Sequence, residues 1–204
     1  MTPSLLLTIA LQATACGPIT DAQAPEAGDT FLYESVIYGE TSDILMRNDI
    51  VAGRGLATVF YQGGGLSRDD ISVNRQSPVR GYGGIAFVRS LGTGSRRREF
   101  SYSPSPDEVL ARLEPGESAD IYVHERSGGA GERYRLSVSF DRCDAYAVGD
   151  ETLPANVYTI SRAGEENEDD AGSRVIWLSR TTGWWLMDSH PGRESLSRLI
   201  AINE

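Results

Sequence analysis

The side chains that most often serve as a general base, a thiol nucleophile or a zinc ligand are scarce in this chain. There are two histidines, His124 and His190, and two cysteines, Cys16 and Cys143. There is no lysine, so all 19 basic residues are arginine. That removes Schiff-base chemistry and the lysine of a phosphate-binding loop. A zinc centre draws on dedicated His and Cys ligands, so no metal or other cofactor is expected. No Ser-His-Asp or Cys-His spacing is visible, although such groupings are assembled in space and not along the chain. Hydrolysis by a pair of carboxylates is the competing class of activity.

Three further groupings carry some chemical meaning. Arg96, Arg97 and Arg98 follow Gly92-Thr93-Gly94-Ser95 and read as a solvated hairpin tip. As a functional alternative they are a candidate anion contact, because guanidinium groups bind anionic headgroups and polymers through a bidentate fork. Glu165 to Asp170 carries five carboxylates in six residues. It lacks the central glycine and distant glutamate of a calcium loop and reads as a mobile acidic turn. Trp177, Trp184 and Trp185 read as cross-strand core packing. The functional alternative is an aromatic wall lining an apolar groove that takes a lipid, an acyl chain or a partner segment. If both Trp184 and Trp185 lie in one strand they must point to opposite faces.

The first residues look like an address. Leu5 to Leu11 is an apolar run too short to cross a bilayer, which needs about 20 apolar residues. Ala13-Thr14-Ala15 then offers small residues at a cleavage position. Cys16 stands directly after them, in a setting that resembles the lipobox of bacterial lipoproteins. Residues 1–15 are therefore expected to be a signal peptide and Cys16 a lipidation site, which would leave Cys143 as a lone thiol. If the leader is a plain secretory signal that leaves Cys16 in place, the two cysteines are free to form one disulfide. Residues 16–29 are rich in Pro, Ala and Gly and read as a flexible tether.

Residues 30–204 read as a β-rich globular domain. Tyr134, Leu136, Val138 and Phe140 alternate with Arg133, Arg135, Ser137, Ser139 and Asp141. Ala119, Ile121 and Val123 likewise alternate with Asp120, Tyr122 and His124. Period-two alternation means one buried and one wet face. Further strands are expected at 31–38, 56–62, 71–75, 85–90, 99–103, 156–162, 174–180, 184–189 and 195–202. One short helix is expected after Ser105-Pro106-Asp107-Glu108, which places a cap, a proline at the first helical position and a glutamate at the third. The fold class is all-β and antiparallel: a twisted, partly closed barrel or sandwich of about ten strands with one short helix.

The stretch from Tyr134 to Ile202 carries a resemblance. Val148-Gly149-Asp150-Glu151 leads into Leu153-Pro154-Ala155-Asn156-Val157-Tyr158. A polar loop follows, then Val175-Ile176-Trp177-Leu178-Ser179 and Thr182-Gly183-Trp184-Trp185. This layout resembles the closing section of uncharacterised bacterial periplasmic proteins and lipoproteins with a β half-barrel. The resemblance covers the C-terminal third of the chain and implies no catalytic residues.

The formal net charge of −10 argues against nucleic acid as a partner. The expectation is a non-catalytic cell-envelope lipoprotein, in the periplasm or on the outer membrane and held to it by its N-terminal lipid. It would bind a lipid, another apolar ligand or an envelope protein. The alternatives are a secreted soluble form, a structural scaffold and the carboxylate hydrolase.

Overall fold

The computed structural model describes residues 16–19, 29–37, 39–50, 56–62, 65–66, 72–73, 90–91, 98–127, 130–162, 173–181 and 183–202. The strands are β1 (Thr30–Ile37), β2 (Glu40–Ile50), β3 (Leu56–Gln62), β4 (Gly65–Leu66), β5 (Ser72–Val73), β6 (Ser90–Leu91) and β7 (Arg98–Ser103). After helix α1 (Pro106–Leu110) come β8 (Ser118–Ser127), β9 (Ala130–Val148), β10 (Glu151–Arg162), β11 (Arg174–Ser179), β12 (Trp185–His190) and β13 (Ser195–Ile202). Among the described residues these make one 13-stranded sheet. Its order is β4-β3-β2-β1-β13-β12-β11-β10-β9-β8-β7-β6, with β5 on β3.

The fold is all-β, antiparallel, twisted and not closed into a barrel. The order follows the chain except where β1 enters between β2 and β13. The first half of the chain is thereby continuous with the second, with Tyr33 opposite Leu199 and Ser35 opposite Ser197. The strand count exceeds the expected ten because of the 11-residue β2 and the two-residue β4. Asp43, Arg47 and Asp49 break the apolar pattern of β2, which is specified by its pairing with β1 and β3. The expected strand at 85–90 lies outside the described residues except for Ser90.

β9 is the spine of the sheet. Its first part pairs with β8 from Ala130 to Ser139, and its second with β10 from Leu136 to Val148. The ladder slips at Val157/Tyr158, which face Arg142 and Phe140, so Asp141 is the extra residue of a bulge. The bulge has a positional effect. Strict alternation would send Cys143 to the face opposite Phe140. The slip instead puts Cys143 opposite Asn156 and Phe140 opposite Tyr158, so both belong to the core face. The β9–β10 turn is a two-residue loop in which Gly149 takes φ 55°, a conformation that costs glycine little.

α1 forms where the capping box placed it. The Glu108 backbone N–H donates to Ser105 Oγ, and the Ser105 N–H donates to the Glu108 carboxylate, each at 3.2 Å. Val109, Leu110 and Leu113 are buried and join the same core cluster as Ile121, Phe140, Tyr158, Ile176 and Leu199. The helix therefore works as a plug on the core face.

Candidate functional site

Trp184 and Trp185 are buried members of the core cluster, and Trp177 packs against it. Trp184 is 1% exposed and Trp185 2%. Trp184 stacks on Phe31 with centroids 4.3 Å apart, and Trp185 stacks on Tyr33 at 3.8 Å. Tyr33 Oη donates to the Trp185 carbonyl at 2.8 Å and accepts from Trp184 Nε1. Burial pushes the Tyr33 hydroxyl well above the usual tyrosine range, so it stays a donor. The opposite-face requirement does not arise, because Trp184 precedes β12 and the β11–β12 ladder slips beside Leu178. Trp177 is half-buried on the other side of β11, edge-on to Tyr146 at 5.9 Å and with the Arg142 guanidinium 5.5 Å from its ring centre. None of the three lines either of the depressions described below.

Residues 16–19, at the start of the segment read as a tether, lie against the sheet. Cys16 is bonded to Cys143 in a disulfide. Asn156, fully buried, donates from Nδ2 to the Gly17 carbonyl at 2.9 Å and to Tyr158 Oη at 3.0 Å. Ile19 is 3% exposed and belongs to the core cluster. A sulfur used in this bridge is not available for a thioether to lipid, so the two expectations for Cys16 exclude one another.

Arg98 sits at the start of β7, and its Nε is 2.7 Å from Glu125 Oε1. That carboxylate is the main reason its guanidinium is held more firmly in the charged form. Arg96, Arg97 and the acidic run at 165–170 lie outside the described residues.

The structure also brings together a grouping that spacing did not reveal. Asp188 and His190 alternate onto one face of β12, opposite Ser197 and Ser195 of β13, with Ser35 next in the row. Serine, histidine and aspartate are thus neighbours. Their hydrogen bonds run elsewhere, however. Asp188, 5% exposed, accepts from two guanidinium nitrogens of Arg174, Nε at 3.2 Å and Nη2. His190 Nε2 is 3.8 Å from Asp188 Oδ1, beyond hydrogen-bond length. Ser35 Oγ and Ser197 Oγ bond to each other at 3.0 Å. The carboxylate therefore neutralises a partly buried arginine instead of orienting an imidazole.

Two depressions mark the described surface. The smaller, about 290 Å³, is lined by Tyr146, Met187, Arg198, Leu199 and the β9–β10 turn. The larger, about 540 Å³, lies across β7, β8 and β9. Two rows cross it in register: Ser101–His124–Arg133 and Ser103–Tyr122–Arg135. No carboxylate lines either depression. Among the described residues no three His, Cys, Asp or Glu side chains gather to hold a metal ion. The alternation of β8 and β9 had put Tyr122, His124, Arg133 and Arg135 on wet faces. Only the register makes them one patch.

No protein-family profile matches the chain, and no curated protein matches it either. Three solved structures are similar to it. The hypothetical lipoprotein YmcC of Escherichia coli is 11% identical, with TM-score 0.47, over 85% of this chain and 84% of that one. An exported protein of Bacteroides fragilis, provisionally so described and with a YmcC-like fold, is 12% identical, with TM-score 0.43, over 93% and 100%. A lipoprotein of Parabacteroides distasonis, also provisionally so described, is 10% identical, with TM-score 0.42, over 93% and 100%. The resemblance confined to the C-terminal third is corrected by these spans, which take in most of the chain. The physical reason is the β1–β13 ladder, which makes the N-terminal strands part of the same sheet.

Proposed function

We propose that the chain is an exported, non-catalytic binding module of the bacterial cell envelope. The observation that carries this reading is the Cys16–Cys143 bridge beside a leader-like run. A disulfide persists in oxidising compartments outside the cytosol. The filled aromatic core and the engagement of Asp188 by Arg174 support binding over hydrolysis. The similar structures described as lipoproteins or as exported fit the same compartment. In the bridged form the N-terminal segment is fastened to β9 and the protein is soluble. A second reading, favoured by the position of Cys16 after Ala13-Thr14-Ala15, acylates that sulfur and holds the module on a membrane. Trp177, the half-exposed tryptophan, is then the reachable point for an apolar ligand or partner segment.

Intact mass measurement of the full chain expressed with its leader separates these forms. The bridged form has lost residues 1–15, gains nothing on thiol alkylation until it is reduced, and then takes up two alkyl groups. The acylated form carries a diacylglyceryl addition and takes up one alkyl group on Cys143. An unprocessed, cytosolic chain with Met1 and two free thiols would overturn both. For the bridged form, Cys143→Ser lowers the melting temperature. The expected cost is about 2–4 kcal/mol, the usual range for a bridge closing a long loop.

A further inference from the structure

We infer that the outer face of β7, β8 and β9 is a binding site for an anionic saccharide, with Tyr122 stacking on a sugar ring and Arg133 pairing with its acidic group. This rests on the reading of the chain as a binding module and names the site and the ligand class. The site has a defined shape. The rows Ser101–His124–Arg133 and Ser103–Tyr122–Arg135 run across three strands. Neighbouring strands are about 4.8 Å apart, and alternate residues on a strand about 6.7 Å. The six side chains therefore frame a patch of roughly 10 by 7 Å, the size of one or two pyranose rings.

The chemistry of the patch is selective. Tyr122 is 60% exposed, the most exposed large hydrophobic among the described residues. It stands between Ser103 and Arg135, so its ring is flanked by a hydroxyl and a guanidinium. Ser101 and Ser103 are short, which makes the floor of the 540 Å³ depression and leaves hydroxyls along it. His124 is held over the backbone of Gly131, where a Cβ would come within 3.1 Å of its Nε2. Arg135 pairs with Asp120 at 3.1 Å. Arg133 shares the patch without an ion pair among the described residues. A planar fork beside an exposed ring suits a carboxylate or phosphate carried on a sugar. An apolar ligand would desolvate Arg133 without compensation. Charge points the same way, because two arginines and no carboxylate line this depression in a chain of net charge −10.

The test is titration of the purified mature chain with trigalacturonic acid, followed by calorimetry. Isomaltotriose, a neutral trisaccharide, and inorganic phosphate are titrated in parallel. The acidic trisaccharide is expected to bind, with at least tenfold weaker binding for Tyr122→Ala and for Arg133→Gln. Isomaltotriose is expected to bind at least tenfold more weakly, and raising salt should weaken the acidic ligand. Both side chains are exposed, so both variants should keep the melting temperature of the parent, which shows that the fold is intact. Absence of binding by the acidic trisaccharide, or equal binding by the Arg133 variant, would overturn the site. Phosphate binding as tight as the trisaccharide, unaffected by Tyr122→Ala, would overturn the saccharide in favour of a bare anion. Neither result bears on the processing of Cys16, which intact mass reads independently.

Discussion

Two aromatic groupings lie on opposite faces of one sheet, and they behave in opposite ways. On the core face, Trp184 and Trp185 are stacked on Phe31 and Tyr33, and two polar groups of that cluster bond inside it. On the outer face, Tyr122 is surrounded by Ser103, Arg135 and His124 and is open to solvent. The first set has spent its apolar area and its Tyr33 and Trp184 hydrogen bonds on holding β1 to β12. The second has left the Tyr122 ring and Arg133 exposed. An aromatic cluster is therefore a site only where the sheet turns it outward with polar neighbours; residue type alone does not distinguish the two.

The sharpest way to break this contrast is to truncate the core set. Trp184→Ala removes the stack on Phe31 and the donor to Tyr33, and its expected cost is about 3–5 kcal/mol in chemical denaturation. A loss below about 1 kcal/mol would mean that the tryptophan is not core, and would revive the aromatic groove. A smaller effect is expected from alkaline pH. Burial, the largest cause, pushes both Tyr146 and Tyr158 up to about 12. Their unfolded values are near 10. A raised folded pKa means stability is unaffected by these groups below pH 10. It is then lost progressively as pH rises from 10 through 12, because only the unfolded state ionises freely. Thermal melts at stepped pH, with tyrosinate absorbance read in parallel, check this. Ionisation of all nine tyrosines near pH 10 while the fold persists would contradict the burial. The smallest effect is at the helix plug, where Ser105→Ala should cost about 1 kcal/mol. A Ser105→Asp partner should restore it, since Asp also caps.

Much of the sheet was readable from residues alone, for reasons that local pattern explains. Strand β8 and the stretch of β9 from Tyr134 to Phe140 alternate, and α1 carries both halves of its capping box. The features that escaped need knowledge of register. β2 lacks alternation and is specified by its neighbours. The bulge at Asp141 sets which face Cys143 occupies, and it depends on the pairing of β9 with β10. The outer-face patch needs three strands aligned, though each strand had already declared its wet residues. Asp188 and His190 are two apart in sequence, but their relation to Ser35 depends on β1 returning beside β13.

The bridge from Cys16 to Cys143 has a mechanical consequence. It ties Cys16 to a strand 127 residues further along the chain, in the interior of the sheet. A pull applied at Cys16 is then delivered straight to β9, between its neighbours β8 and β10. The strands from β1 to β8 are bypassed, so the module would withstand traction in shear along its longest strand before its first strand feels any load.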